Sequence, residues 1–213
     1  MKFRDPIVKY FLIIGIFLIV ISSAKSQWIE TNGPYCGTVN SITYFDNYLF
    51  CGSGSGVYRS ANGGGNWEFL QNGIPTREVT SVSHLGQELF ATIKDVGLYA
   101  SLDQGESWQP AGSGLISLNV NTLYCNDTTL YAGTGGALFQ FDPSARTWTC
   151  INNGLPVAPV NAIISAGGQL FAGIHGNGIY RSSDKGLHWL EMNSGLGNQN
   201  VLSLCSHGGK LFA

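Results

Sequence analysis

Tryptophan recurs along this chain at an almost constant interval. The five tryptophans lie 39, 41, 40 and 41 residues apart. They are Trp28, Trp67, Trp108, Trp148 and Trp189. A period near 40 residues that is carried by whole segments is typical of a repeat architecture. Each repeat is then a supersecondary unit that buries its apolar face only by stacking on its neighbours, so the interval constrains the fold strongly.

Each repeat contains four short runs rich in β-branched and aromatic residues, separated by Gly, Asn and Asp. Such runs between turn-forming residues predict β-strands, and no helical periodicity competes with them. The first runs of the repeats cover 39–44, 79–83, 120–124, 160–164 and 201–204. We predict an all-β fold, a β-propeller of four-stranded antiparallel blades with about 40 residues per blade. A parallel β-solenoid is the alternative, but its repeats are usually shorter.

A recurrent motif occupies the turn between the third and fourth runs. Three repeats share the pattern Ser-x-Asp/Asn-x-Gly-x-x-Trp. Its residues are Ser60, Asn62, Gly64 and Trp67; Ser101, Asp103, Gly105 and Trp108; and Ser182, Asp184, Gly186 and Trp189. The Asp or Asn side chain can accept backbone N–H groups, Gly supplies a positive φ, and the indole packs beneath the hairpin. The pattern resembles the Asp-box, or BNR repeat, of propellers of the sialidase, sortilin and photosystem II assembly factor types.

The resemblance extends from about Gln27 to the end of the chain and implies a structural role for the motif. In such families the Asp-box is remote from any active site. We therefore expect structural turns at these positions, and we assign no catalytic, cofactor-binding or metal-binding residue. The third repeat departs from the pattern, because it keeps Trp148 but has lost the Ser, the Asp and the Gly. Asp142 and Pro143 can still form a turn there.

The first 26 residues have the composition of a secretory signal peptide. Basic residues precede an apolar run over 10–21, and small residues follow it before Gln27. This order predicts cleavage before Gln27. The alternative is an uncleaved membrane anchor, but the apolar run is short for a span of about 20 residues. We expect a secreted protein, extracellular or periplasmic, with no stable membrane span after cleavage.

The predicted domains are a signal peptide over 1–26 and an incomplete β-propeller over 27–213. The propeller has four full repeats over 39–197, with partial strands at each end, so its ring is incomplete in this chain. The last residues, 210–213, match the middle of a second run. We interpret the chain as a C-terminally truncated fragment. We expect it to expose a bare blade face and to aggregate.

Charge and cysteine content narrow the function classes. From Gln27 onward, seven basic residues accompany twelve acidic ones, without a basic cluster. Nucleic-acid binding needs a clustered positive footprint, so we expect no nucleic-acid partner. We also expect no cofactor. Because the number of cysteines is five, at least one of them cannot form a disulfide within the chain, and the pairings Cys36–Cys150 and Cys125–Cys205 both stay possible.

We favour a non-catalytic binding or scaffold module for a protein or glycan partner, which would contact the inter-blade loops and the channel mouth. The alternative is an extracellular glycoside hydrolase of the sialidase or xyloglucanase type, with catalytic residues partly in blades that this chain lacks. Arg59 and Arg181 hold equivalent repeat positions and therefore do not converge on one carboxylate. Four loop acids could line a channel end, but solvated loop acids are the favoured interpretation. They are Asp46, Glu78, Asp95 and Asp127.

Overall fold

The structure is a computed structural model that describes residues 32–34, 37–126 and 128–213. These residues form strands, turns and bends, with no helix among them. In this part of the chain, therefore, no helix is long and apolar enough to cross a membrane. The expected signal peptide, Trp28, Cys36 and Asp127 lie outside the described residues.

Four antiparallel four-stranded sheets follow one another along the chain, and we call them blades 1 to 4. Blade 1 comprises β1 (Val39–Phe45), β2 (Tyr48–Ser53), β3 (Gly56–Ser60) and β4 (Glu68–Leu70). Blade 2 comprises β5 (Val79–Leu85), β6 (Glu88–Ile93), β7 (Gly97–Ser101) and β8 (Gln109–Pro110). Blade 3 comprises β9 (Val120–Asn126), β10 (Thr129–Thr134), β11 (Leu138–Asp142) and β12 (Thr147–Cys150). Blade 4 comprises β13 (Val160–Ala166), β14 (Gln169–Ile174), β15 (Gly178–Ser182) and β16 (Leu190–Glu191), and the two-stranded sheet β17 (Cys205–His207) and β18 (Lys210–Phe212) follows.

The first strands of consecutive blades contact one another, β1 with β5, β5 with β9 and β9 with β13. Blades that stand side by side with their first strands innermost form a β-propeller. The predicted fold class is thus confirmed, and the described blades do not close a ring. Ile42 of β1 is 59% exposed, whereas Val82 at the same position of β5 is 4% exposed because it packs on blade 1.

The apolar core lies between the blades. One cluster joins Phe50 and Val57 of blade 1 to Leu89 and Trp108 of blade 2. Two further clusters join blade 2 to blade 3 and blade 3 to blade 4 in the same way. The second strands are covered on both faces, as their apolar runs predict, and all six residues of β6 are buried. Each blade therefore depends on its neighbours for the burial of its apolar side chains.

The fifth repeat differs from the prediction. The sequence pattern predicts a strand over 201–204, but the strand there begins at Cys205. The reason is pairing, since β18 is only three residues long and reaches no further than Cys205. Val201 is nevertheless 4% exposed, because it packs against Gly173 of blade 4.

The cysteines do not form the disulfides that the sequence left open. Cys150 and Cys205 are exposed free thiols. Each of the two candidate pairings needs one of these thiols, so neither bond is present. Cys51 is fully buried in β2, at the position that Ala91 holds in β6.

Candidate functional site

The blades have two unlike edges. We call the edge with the turns between first and second and between third and fourth strands the turn face. We call the opposite edge, with the turns between second and third strands and the linkers between blades, the linker face. On the turn face, Gln104 of blade 2 donates a hydrogen bond to Asp46 of blade 1. On the linker face, the backbone N–H of Lys94 donates to the carbonyl of Glu78, at 2.9 Å.

On the turn face, the motif residues form one hydrogen-bond network that is repeated in three blades. In blade 2, Ser101 Oγ donates to Asp103 Oδ1 at 2.7 Å and accepts from Gly105 N at 2.8 Å. Asp103 Oδ1 also accepts from Ser107 N at 2.9 Å. Blade 4 has the same bonds through Ser182, Asp184, Gly186 and His188, and blade 1 through Ser60, Asn62, Gly64 and Asn66.

The motif aspartates are stabilised as carboxylates. Hydrogen bonds from the backbone and side chain of His188 and from Ser182 lower the pKa of Asp184 to about 2. Partial burial acts to raise the pKa of Asp103, but hydrogen bonds from Ser107 and Ser101 outweigh it and lower that pKa. A carboxyl group whose pKa is lowered in this way is a poor general acid near neutral pH.

The motif tryptophan joins neighbouring blades. In blade 4, the backbone N–H of Trp189 donates to the Asn153 carbonyl at 3.0 Å, and its indole Nε1 donates to the Ile151 carbonyl at 2.9 Å. Both acceptors belong to the linker that precedes blade 4. Trp148 bonds in the same way to Ser113 and Ala111, at 2.8 and 2.9 Å. The indoles of blades 3 and 4 therefore tie each of these blades to the one before it, rather than only a hairpin to its own blade. In blade 2, the hydrogen bond to the preceding linker is made by the backbone N–H of Trp108, to the Asn72 carbonyl at 3.0 Å.

A glycine in each linker makes this contact close. A Cβ on Gly73, Gly114 or Gly154 would lie 2.3, 2.3 or 2.4 Å from the tryptophan carbonyl oxygen of the following blade. Only glycine fits such an approach. Our sequence reasoning missed these glycines, although they recur at the 40-residue period and each is followed by Ile or Leu.

Blade 3 closes its turn by other means. Asp142 Oδ1 accepts from the backbone N–H groups of Ser144 and Ala145, at 2.8 and 3.1 Å. Arg146 in the same turn reaches Glu88 of blade 2 with two hydrogen bonds, of 2.6 and 3.2 Å. Glu88 is only 8% exposed, so its charge is neutralised across the blade boundary.

The arginine at the third-strand position of blade 1 also bridges blades. Arg59 lies 2.7 Å from Glu68 of its own blade and 2.7 Å from Glu106 of blade 2. It also donates to the Gln104 carbonyl at 3.0 Å. Arg59 is thus occupied on the turn face, and Arg181 holds the same position in blade 4.

A polar groove of about 450 Å³ opens on the linker face where blades 2, 3 and 4 meet, and we call it the linker-face groove. It is lined by Glu78, Thr80, Lys94, Asp95, Asn119, Val120, Asn121 and Asn161. Two of the four loop acids noted in the sequence, Glu78 and Asp95, therefore meet here, while Asp46 lies on the turn face. Among the residues that the structure describes, no group of three or more His, Cys, Asp or Glu could hold a metal ion.

The charges of the groove are partly paired. Lys94 Nζ lies 2.6 Å from Glu78 Oε2, and this hydrogen bond and charge raise the pKa of Lys94. Asp95 has a left-handed backbone, with φ of 60°, and its N–H donates to Asn119 Oδ1 at 3.0 Å. The structure gives the Asp95 carboxylate no hydrogen bond to the other described residues. The groove thus presents one carboxylate and one ion pair.

On the linker face, the second residue of the first strand links neighbouring blades in blades 1 and 4. Asn40 Nδ2 donates to the Val79 carbonyl at 3.0 Å, and Asn161 Nδ2 donates to the Val201 carbonyl at 3.0 Å. Asn121 holds the same position in blade 3, but it is exposed and its side chain has no hydrogen bond to the described residues. Its amide is therefore available in the groove.

An apolar pocket of about 340 Å³ adjoins the groove. Its lining includes Val96, Tyr99 and Leu118, whereas the neighbouring residues Asp95 and Asn119 line the groove. The boundary between the two depressions thus runs between Asp95 and Val96 and between Leu118 and Asn119. Leu118 is 61% exposed at this boundary.

The four-stranded sheets, placed side by side, define a β-propeller domain, and a polar groove opens among its linkers. The chain belongs to the DUF6242 beta propeller domain family, whose model matches residues 37–170. No match was found among curated proteins.

Solved structures share the fold. The extracellular domain of BT4673 from B. thetaiotaomicron is 18% identical with a TM-score of 0.71, over 87% of this chain and 27% of that one. YCF48 from Cyanidioschyzon merolae is 16% identical with a TM-score of 0.63, over 85% of this chain and 67% of that one. The GH74 enzyme of Niastella koreensis is 17% identical with a TM-score of 0.59, over 71% of this chain and 29% of the enzyme. At these identities the similarity shows the fold alone, and the chain spans about a quarter of the BT4673 domain.

Proposed function

We propose that this chain is a secreted, non-catalytic propeller that binds a protein or glycan partner through its linker face. One observation carries the proposal, namely that the charged cluster of Glu78, Lys94 and Asp95 has no counterpart at the equivalent positions of blades 1, 3 and 4. The backbone hydrogen bond from Lys94 to Glu78 recurs in blade 1 between Gly54 and Thr38, without either charge. Residues that the fold requires recur in every repeat, so an unrepeated charged cluster has another use.

The motif residues of the turn face serve the fold in this proposal. We infer that the turns around Asn62, Asp103 and Asp184 are Asp-boxes of the BNR type with a structural role. Their internal hydrogen bonds support this inference, since each oxygen acceptor is used to close its own turn. Function is then carried by the opposite edge.

A location outside the cytoplasm is supported by two features. The amino-terminal sequence has the order of a signal peptide. The BT4673 and BT3049 domains of similar fold are extracellular domains. The protein would therefore meet its partner at the cell surface, in the periplasm or in the medium.

Glycoside hydrolysis is the second candidate, because GH74 enzymes share the fold and because Glu78 and Asp95 lie in one groove. The groove geometry favours binding instead. A glycosidase needs a protonated carboxylic acid in an environment that raises its pKa. The Glu78 side chain is 39% exposed and is paired with Lys94. Release of reducing sugar from xyloglucan or a sialoside by the full chain would establish hydrolysis and refute the non-catalytic proposal.

The linker-face assignment can be tested with matched surface variants. Leu118→Lys and Val157→Lys change exposed linker residues, 61% and 89% exposed. Leu102→Lys and Leu187→Lys change turn-face residues of similar exposure, 72% and 64%. In binding assays against glycan and protein panels, we expect only the linker-face pair to lose binding. Loss confined to the turn-face pair would refute the proposal.

A further inference from the structure

We propose that the linker-face groove and the adjoining apolar pocket form one binding site for an uncharged oligosaccharide. This assignment rests on the proposed binding function and names the class of ligand. It is carried by the shape of the two depressions, by their hydrogen-bonding groups and by their charge.

The shape suits a small or linear ligand. The two depressions have volumes of about 450 and 340 Å³. Both lie within the range of about 300–1,000 Å³ that is typical of small-ligand sites. They adjoin at two places, where Asp95 is followed by Val96 and where Leu118 is followed by Asn119. A ligand longer than one ring can therefore occupy both.

The hydrogen-bonding groups suit hydroxyls. Asn121 offers an unused amide donor and acceptor, Asp95 an unused carboxylate, and Asn119 an amide N–H₂ whose oxygen already accepts from Asp95 N. The Asn161 oxygen is also available, because its Nδ2 group is the one bonded to Val201. A sugar hydroxyl both donates and accepts, so it matches a mixture of amides and a carboxylate.

The apolar pocket accounts for the other side of a sugar ring. A pyranose presents C–H groups on its faces and hydroxyls around its edge. Tyr99, Val96 and Leu118 supply an aromatic and aliphatic surface next to the polar groove. Such a lining with a few placed polar groups is the usual composition of a ligand site.

Charge excludes acidic sugars. Lys94 is paired with Glu78 at 2.6 Å, which leaves the Asp95 carboxylate as the net charge of the groove. Two arginines that could bind a carboxylate, Arg59 and Arg146, are engaged with glutamates on the turn face. Among the residues that line the groove and the pocket, an anionic ligand would meet the Asp95 carboxylate and no unpaired cation.

The test is titration calorimetry of the full chain with neutral gluco-, xylo-, manno- and galacto-oligosaccharides, and with sialyllactose and oligogalacturonate as charged probes. We expect at least one neutral probe to bind and neither charged probe to do so. Asn121→Ala should weaken that binding about fivefold, because a lost hydrogen bond to the ligand is worth about 1 kcal/mol. Asp95→Asn should weaken it too, while keeping a side chain that tolerates a left-handed backbone.

Asn40→Ala is the matched control. It changes the same repeat position in blade 1, where the side chain bonds to Val79 and lies outside the groove. It should lower thermal stability slightly and leave oligosaccharide affinity unchanged. Equal loss in Asn40→Ala and Asn121→Ala would indicate a merely structural effect and overturn the assignment.

The outcomes separate this assignment from the proposed function. Binding of charged probes alone, neutral binding that is insensitive to Asn121→Ala and Asp95→Asn, or no oligosaccharide binding would each overturn the oligosaccharide site. A protein partner lost on the Leu118→Lys and Val157→Lys changes would still support binding at the linker face. Conversion of a bound oligosaccharide to shorter products would overturn the non-catalytic function itself.

Discussion

The turns of blade 3 and blade 4 differ in almost every side chain that closes them. In blade 4, Ser182 and Asp184 bond to the backbone of their own turn. In blade 3, Asp142 caps the turn and Arg146 crosses to Glu88 of blade 2. Both blades nevertheless keep the same tryptophan bonds to the preceding linker.

The difference teaches which part of the motif is replaceable. Turn closure needs some acceptor for exposed N–H groups, and several side chains can supply one. The contact between blades needs a glycine against the tryptophan backbone and a large indole in the interface, because each blade buries its apolar face only on its neighbour. We therefore expect changes at the blade contact to cost more than changes within a turn.

The largest effect is expected from Gly154→Ala. Its Cβ would lie 2.4 Å from the Trp189 carbonyl oxygen, at a φ of +93°. We expect a loss of about 3 kcal/mol or more in the free energy of unfolding by urea, because rigid backbone must move. Gly195→Ala is the control, since φ is +83° but nothing lies within 4 Å of the added Cβ. It should lose only about 1–2 kcal/mol, and equal losses would refute the role of close contact.

A smaller effect is expected from Arg146→Ala, which tests the substitute used by blade 3. Removal of the guanidinium leaves Glu88, 8% exposed, without its cation. We expect a loss of about 2 kcal/mol in the free energy of unfolding. The double variant with Glu88→Gln should recover part of the loss. A loss below about 0.5 kcal/mol would class the pair with ordinary surface ion pairs.

The smallest effect on stability is expected from Asp184→Asn, because Asn62 already accepts the equivalent backbone hydrogen bond in the same turn of blade 1. The folded-state pKa of Asp184 is lowered from 3.8 to about 2. The carboxylate therefore stabilises the fold above pH 4 or so, and this contribution is lost as the pH falls to about 2. The stability difference between the two proteins should shrink over that interval in pH-dependent unfolding. A difference that does not change with pH would contradict the assigned hydrogen bonds.

Periodicity predicted the fold well. The step of the tryptophans, the apolar second runs and the turn motifs led to four-stranded blades, and most strand bounds agree with the structure. Local pattern could not predict that residues 201–204 lack a partner strand, because pairing depends on the length of β18. Nor did it reveal that Trp189 bonds to the preceding blade, because that contact joins residues 38 apart.

The candidate site was much less predictable. Glu78 and Asp95 were noted as loop acids, but Lys94, Asn119 and Asn121 were not connected with them. Glu78 and Asp95 are 17 positions apart along the chain, and only the return of β6 to the linker face brings them to one groove.

Repetition within the chain is enough to specify the blades, since each repeat carries the same apolar runs and turn residues and these form the same strands and turns. The placement of one blade on the next is not specified by such local patterns. It arises when Trp and Val side chains from one repeat pack on the next and when linker glycines let the backbones approach. The groove exists only after that packing, because its walls come from blades 2, 3 and 4. Side chains that meet across blades share no local pattern, and so tertiary contact alone assembles the site.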